Sequence, residues 1–263
     1  MKKTLSFCMG GLLGALLLES YRNQDSPQKS KLETPIPSEP LILAEEDLVA
    51  IPYEQTGGVF SVPITIEQNG RADELWMIFD TGATFSTINR ETLEFLGLDI
   101  SEEAPVVTLR TANGTTKAPL VMLNEVWMGG YWVGPLTVAI CESCASSEIA
   151  GLLGLNVSSG FLLTLDPLNE EILIQPRGRR RIVNELSHWV SLSSSWGASG
   201  PIVHAYNRSD YSIESLEVTL SCASEQVVTF SLILPHQKSE VGARRGGCSG
   251  AKMKITGGAW GRE

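Results

Sequence analysis

The chain is poor in the residues that build metal centres. Its three histidines (His188, His204 and His236) are scattered. No second Cys-x-x-Cys and no His pair lies at zinc spacing from Cys141-Glu-Ser-Cys144, which argues against a zinc site. Long apolar runs are lacking too. The N-terminal stretch over residues 5–18 has 14 residues, short of the roughly 20 that span a bilayer comfortably. Basic charge is scarce through residues 1–176, with 9 Lys/Arg against 23 Asp/Glu. That acidity excludes nucleic acid as the main partner. No internal repeat is evident.

What is present begins with "MKKTLSFCMGGLLGALLLES". Two lysines followed by a short apolar stretch read as a signal peptide or signal anchor over residues 1–20. No Ala-x-Ala cleavage site follows, so the leader is either removed or kept as a membrane tether through residues 5–18. Cys8 lies too early in it for lipidation after cleavage. The chain is expected to be exported, periplasmic or extracellular. Beyond the leader stand four cysteines, Cys141, Cys144, Cys222 and Cys248. An even count in an exported chain fits two disulfides. Proximity suggests Cys141–Cys144 and Cys222–Cys248, although three connectivities are open. "CESC" also has the spacing of a redox pair, but lacks the helix-start context of a reactive one.

Residues 21–50 are polar and Pro-rich and read as a linker. Residues 51–176 form a first module, 177–184 ("RGRRR" onward) a basic linker, and 185–263 a second, small module. Charge supports the division, at −14 for residues 1–176 and +4 for the remainder. Within the first module, apolar runs alternate with turn signals at Gln68–Gly70, Asn113-Gly114, Gly129-Gly130 and Gly134-Pro135. This predicts antiparallel hairpins, the loop at Gln68–Gly70 looking longer than two residues. "NRETLEFLGLDI" predicts a short helix stopping at Gly97. The second module shows short strands between turns and suits a β-sandwich. The predicted class is all-β with one or two short helices.

One aspartate stands apart. In "LWMIFDTGATFST" a strand of large apolar residues runs straight into Asp80, and the chain turns at once on Gly82. About 30 residues later comes a glycine-tipped hairpin, "LRTANGTTKAPL", and then "GLLGLN" over residues 151–156. A lone Asp-Thr-Gly fits an ordinary turn; its order with the other two elements is far more specific. Over residues 59–176 the chain resembles the retropepsin-like aspartic proteases, the retroviral-type family that also has bacterial members. The resemblance implies a closed β-barrel and a catalytic Asp80 in an active-site loop with Thr81, Gly82 and Ala83. It implies a substrate-covering flap tipped by Thr111, Ala112, Asn113, Gly114 and Thr115, and support beneath the loop from Leu153 and Gly154.

A single carboxylate cannot both activate water and protonate an amide oxygen. Two that share one proton can. The chain offers one Asp-Thr-Gly and no Asp-Ser-Gly, so a two-fold homodimer is expected to bring two Asp80 side chains together. The expected activity is that of an aspartic endopeptidase on protein or peptide substrates, needing no metal and no cofactor. The rival from another class is a catalytically silent binding or assembly protein on the same scaffold.

Overall fold

The computed structural model describes residues 48–111, 114–142, 148–177, 182–222, 224–244 and 252–261. The leader and most of the Pro-rich linker lie outside them, as do Ala112, Asn113, Cys144, Cys248 and the basic run from Gly178 to Arg181. Residues 44–263 cluster as one unit.

The first half is a curled sheet built from hairpins. β2 (Glu54–Thr56), β3 (Val59–Gln68) and β4 (Arg71–Phe79) follow one another antiparallel. β3 turns into β4 over only Asn69 and Gly70, both at positive φ (54° and 73°), with Gln68 paired to Arg71. The loop expected to be longer is therefore a two-residue primed turn, whose twist matches that of the strands it joins. β5 (Ser86–Asn89) leads into α1 (Arg90–Phe95), where the Asn89 side chain caps the amide of Thr92 and Gly97 at φ 67° ends the helix. This is the helix predicted from the sequence.

β6 (Val106–Thr111), β7 (Gly114–Met128) and β8 (Tyr131–Cys141) form two further hairpins, the second turning on Gly129 and Gly130 at φ 57° and 82°. The expected turn at Gly134-Pro135 is not one. Both residues lie inside β8, beside a register shift opposite residues 123–126, with Gly134 at φ 90°. The shift bends the long hairpin rather than reversing the chain.

The decisive strand is β9 (Gly151–Leu153), which arrives late and inserts between β4 and β5. It runs parallel to β4 and antiparallel to β5, while β5 runs parallel to β8. The order is β2-β3-β4-β9-β5-β8-β7-β6, and β3 also pairs with β7. That extra ladder closes the sheet on itself around Val62, Ile64, Met77, Leu123, Leu136, Val138 and Leu153. Alternate residues of β3 (Val62, Ile64 and Ile66) are all buried, so a register slip would turn this set out of the core. After α2 (Leu155–Ser158), β10 (Phe161–Asp166) and β11 (Glu171–Pro176) join β1 (Val49–Pro52) in a three-stranded sheet.

The second half opens with α3 (Val183–Trp189), a helix the sequence reading did not anticipate. Two three-stranded sheets follow: β12 (Val190–Gly197), β13 (Gly200–Asn207) and β16 (Lys238–Gly242) in one, and β15 (Gln226–Ile233), β14 (Ile213–Ser221) and β17 (Lys252–Trp260) in the other. They share a core of Val203, Leu216, Val218, Phe230 and Ile255, as expected for a small sandwich. Fully buried Asn207 ties its loops, donating from Nδ2 to the carbonyls of Tyr211, Ile233 and Leu234 while Oδ1 accepts from Ser209. Met122 of β7 belongs to this core as well, so the halves share packing.

Candidate active site

Asp80 directly follows β4, where the parallel ladder to β9 runs out. Its backbone amide makes the last bond across that ladder, donating to the Leu153 carbonyl at 3.0 Å. The chain then turns: the Gly82 amide donates to Asp80 Oδ1 at 2.8 Å, and the Ala83 amide donates to the Asp80 carbonyl at 3.3 Å. A Cβ at Gly82 would lie 3.1 Å from that same carboxylate oxygen. The result is a carboxylate held at the rim of the barrel. Asp80 and Ala83 are half-buried, whereas Thr81, Gly82 and Thr84 are exposed.

The other side of the loop is anchored by α2. The Leu155 amide donates to the Ala83 carbonyl at 2.7 Å. Buried Asn156 accepts from both the amide and the hydroxyl of Ser86, at 2.7 and 2.8 Å, and the Ser86 hydroxyl oxygen accepts from the Gly154 amide at 3.0 Å. Leu153 is fully buried, and Gly154 packs so closely that a Cβ would stand 2.8 Å from the Ala83 carbonyl oxygen. Leu153 and Gly154 thus lie against the loop, and Ser86 and Asn156 are bonded to the same segment. Neither was singled out from the sequence. The signal was a polar residue in an apolar setting, Asn156 directly after "GLLGL".

β6 and β7 form the hairpin read as the flap. Thr111 pairs with Gly114 across its end, and the tip residues Ala112 and Asn113 lie outside the described residues. Thr115 is exposed opposite Arg110. At the root, Val107 and Leu109 pack on Ala118, Leu120 and Ala139, and Trp189 of α3 joins them. The neighbouring His188 meets Phe85, just past the Asp80 loop, edge-on at 5.5 Å between ring centroids.

Burial, and secondarily the charge of Arg208, hold the His188 pKa below its ordinary value of 6.5. Between 6.5 and the lower folded value, the unfolded chain takes up a proton that the folded chain does not, so stability falls as pH falls through that window. His188→Phe keeps a ring against Phe85 and removes the titration. The decline in melting temperature between about pH 7 and about pH 5 is expected to become shallower in this variant. An unaltered slope would show that His188 carries none of it.

Cys141 ends β8 and is disulfide-bonded, as is Cys222 just past β14. Their expected partners Cys144 and Cys248 lie outside the described residues. Among the described residues, no group of three or more His, Cys, Asp or Glu is placed to hold a metal, and no helix is long and apolar enough to cross a membrane. On the outer face of β12-β13-β16, His204 Nε2 lies 2.8 Å from Ser195 Oγ and Nδ1 lies 3.3 Å from Glu240. With Glu240 largely exposed, this is a cross-strand polar pairing of modest weight.

Residues 62–157 match the family model described as Aspartyl protease. Over 114 residues the chain is 31% identical to an uncharacterised protein encoded in the cobV 5′ region of a Sinorhizobium species, spanning 42% of this chain and 43% of that protein. A solved structure, the retropepsin-like aspartic protease from Rickettsia conorii, aligns with 49% of this chain and 92% of its own at 21% identity and a TM-score of 0.38. The matched stretch takes in β4, the Asp80 loop, the β6–β7 hairpin and β9 together, so over residues 62–157 the chain is similar to the aspartyl proteases of that family model.

Proposed function

We propose that this chain is an aspartic endopeptidase whose active centre forms when two copies pair, each giving one Asp80. The observation that carries this reading is the state of the loop in a single chain. Asp80 is fixed on both sides by β9 and α2, yet Thr81, Gly82 and Thr84 beside it are exposed. A rigid, open Thr-Gly turn fits as a surface for an identical turn to cover, since two-fold pairing sets the same patch against itself. The water lies between the two carboxylates. The ionised one takes its proton as water attacks the peptide carbonyl carbon, and the protonated one hydrogen-bonds the carbonyl oxygen and gives it a proton. Protons then pass to the leaving amine. The productive centre carries one proton, so the rate is expected to fall at both higher and lower pH.

Subunit mixing tests the shared centre. With equal amounts of wild-type and Asp80→Asn chains at constant total concentration, random pairing leaves about a quarter of the dimers with two aspartates. Peptide cleavage should then drop to about a quarter of the all-wild-type rate, whereas independent monomers would retain half. Specific activity should also fall on dilution. Binding of a statine-type transition-state mimic without turnover would favour the silent scaffold instead.

Export and tethering by the leader, and the pairings Cys141–Cys144 and Cys222–Cys248, belong to the same reading. Support for them comes from the sequence pattern and from the bonded state of Cys141 and Cys222. The C-terminal module is the accessory part of the enzyme.

A further inference from the structure

Thr137 is where the C-terminal module meets the catalytic loop. It is fully buried in β8, opposite Met122 of β7. The ladder from β5 begins one residue later, at Val138, and side chains take up the Thr137 peptide groups instead. Its amide donates to Glu185 Oε2 of α3 at 2.9 Å, and its carbonyl accepts from Asn156 Nδ2 at 2.8 Å. Its hydroxyl oxygen accepts from Trp189 Nε1 at 3.1 Å. A buried peptide amide left without a partner is costly, so Glu185 fixes this point of β8 as a strand neighbour would.

From Thr137 the bonding runs on without a gap. Asn156 holds Ser86, Ser86 holds Gly154, and the next amide, that of Leu155, holds the Ala83 carbonyl. We propose that Glu185 is a positioning residue for the catalytic loop, acting through Thr137 and Asn156, and that α3 couples the loop to the flap root. The second half of this coupling is Trp189, which bonds Thr137 and packs against Val107 and Leu109. His188 adds the contact with Phe85. One two-turn helix thereby touches both surfaces between which a substrate would lie. The C-terminal module is part of the catalytic geometry, although it supplies no reacting group. The proposal rests on the reading of Asp80 as catalytic, but the coupling itself can be measured without cleavage.

The experiment uses the full chain and two readouts. Amide hydrogen exchange is followed in fragments covering residues 79–89 and 150–158, and kcat and KM are measured on a peptide substrate. Glu185→Ala is expected to speed exchange in both fragments about tenfold or more. It should lower kcat about tenfold with KM within about twofold, because loop geometry matters most in the transition state. Glu185→Gln keeps an acceptor for Thr137 and should restore both readouts to within about threefold. Phe230→Leu, which loosens the same module's core away from this chain of bonds, should move neither readout while the protein is folded.

Unchanged exchange in Glu185→Ala, or an equal response to Phe230→Leu, overturns the proposal. If exchange responds as expected but no variant and no wild-type protein cleaves peptide, the coupling stands and the protease reading fails. Should Glu185→Ala not be recovered folded, Trp189→Phe decides. It removes the donor to Thr137 while keeping an aromatic ring at the site, and normal exchange over residues 79–89 in that variant overturns the coupling.

Discussion

Asp80→Asn should abolish peptide cleavage, by about a thousandfold or more, while leaving the fold in place. An amide neither takes the proton from water nor shares one with a second carboxylate, and positioned general acid–base groups contribute about 10²–10⁴ each. Stability should hardly change. Asn keeps the shape, and its carbonyl oxygen still accepts the Gly82 amide that Asp80 Oδ1 accepts at 2.8 Å. The melting temperature of the variant therefore serves as the control. A folded Asp80→Asn protein that cleaves at the wild-type rate would remove Asp80 from the mechanism and leave only a structural turn.

Gly151→Ala should have the largest effect on stability. β9 passes between β4 and β5 so tightly that a Cβ at residue 151 would stand 1.8 Å from the Thr87 carbonyl oxygen and 2.9 Å from the Ile88 Cα. Both are backbone atoms of a fully buried strand, so no side chain can swing aside. Overpacking in ordinary cores costs about 1–3 kcal/mol; here the strands themselves must part, and about 3 kcal/mol or more is expected. For a chain of this size that lowers the melting temperature by at least roughly 6–12 °C, or prevents folding. Gly154→Ala meets Ala83 and Phe85 backbone at 2.7–2.8 Å. It should destabilise less and damage catalysis more, because the displaced atoms belong to the Asp80 loop. Gly58, with nothing within 4 Å of its Cβ position, is the reference for strain without crowding. Thermal unfolding of the three variants should rank them in that order, and a Gly151→Ala protein as stable as wild type would contradict the close passage.

Local chemistry made much of this legible in advance. Asn-Gly and Gly-Gly pairs marked the hairpins, Gly97 marked the end of α1, and an aspartate ending an apolar strand marked the loop. The errors came where local punctuation and long-range pairing disagree. Gly134-Pro135 has the residues of a turn, but β8 stays paired with β7 on both sides of it, which carries the strand through as a bend. α3 was not anticipated because its two turns directly follow the basic run, and its apolar residues are covered by distant partners, Leu186 by the sandwich core and Trp189 also by the root of the β6–β7 hairpin, rather than by neighbours in sequence. The supporting bonds were the least legible. Ser86 and Asn156 lie 70 residues apart and Thr137 and Glu185 lie 48 apart, and each looks unremarkable until the fold brings it to its partner.

The late arrival of β9 also sets an order of events in time. β4 and β5 leave a slot that stays empty until residues 151–153 have been made, and the helix bracing it ends only at Trp189. Contacts so distant along the chain form slowly, after local hairpins have collapsed. A growing polypeptide thus carries Asp80 for more than seventy further residues before Leu153 exists to hold it, and for more than a hundred before α3 is complete. On the proposed reading of Asp80, the strand order itself delays completion of the active centre during synthesis.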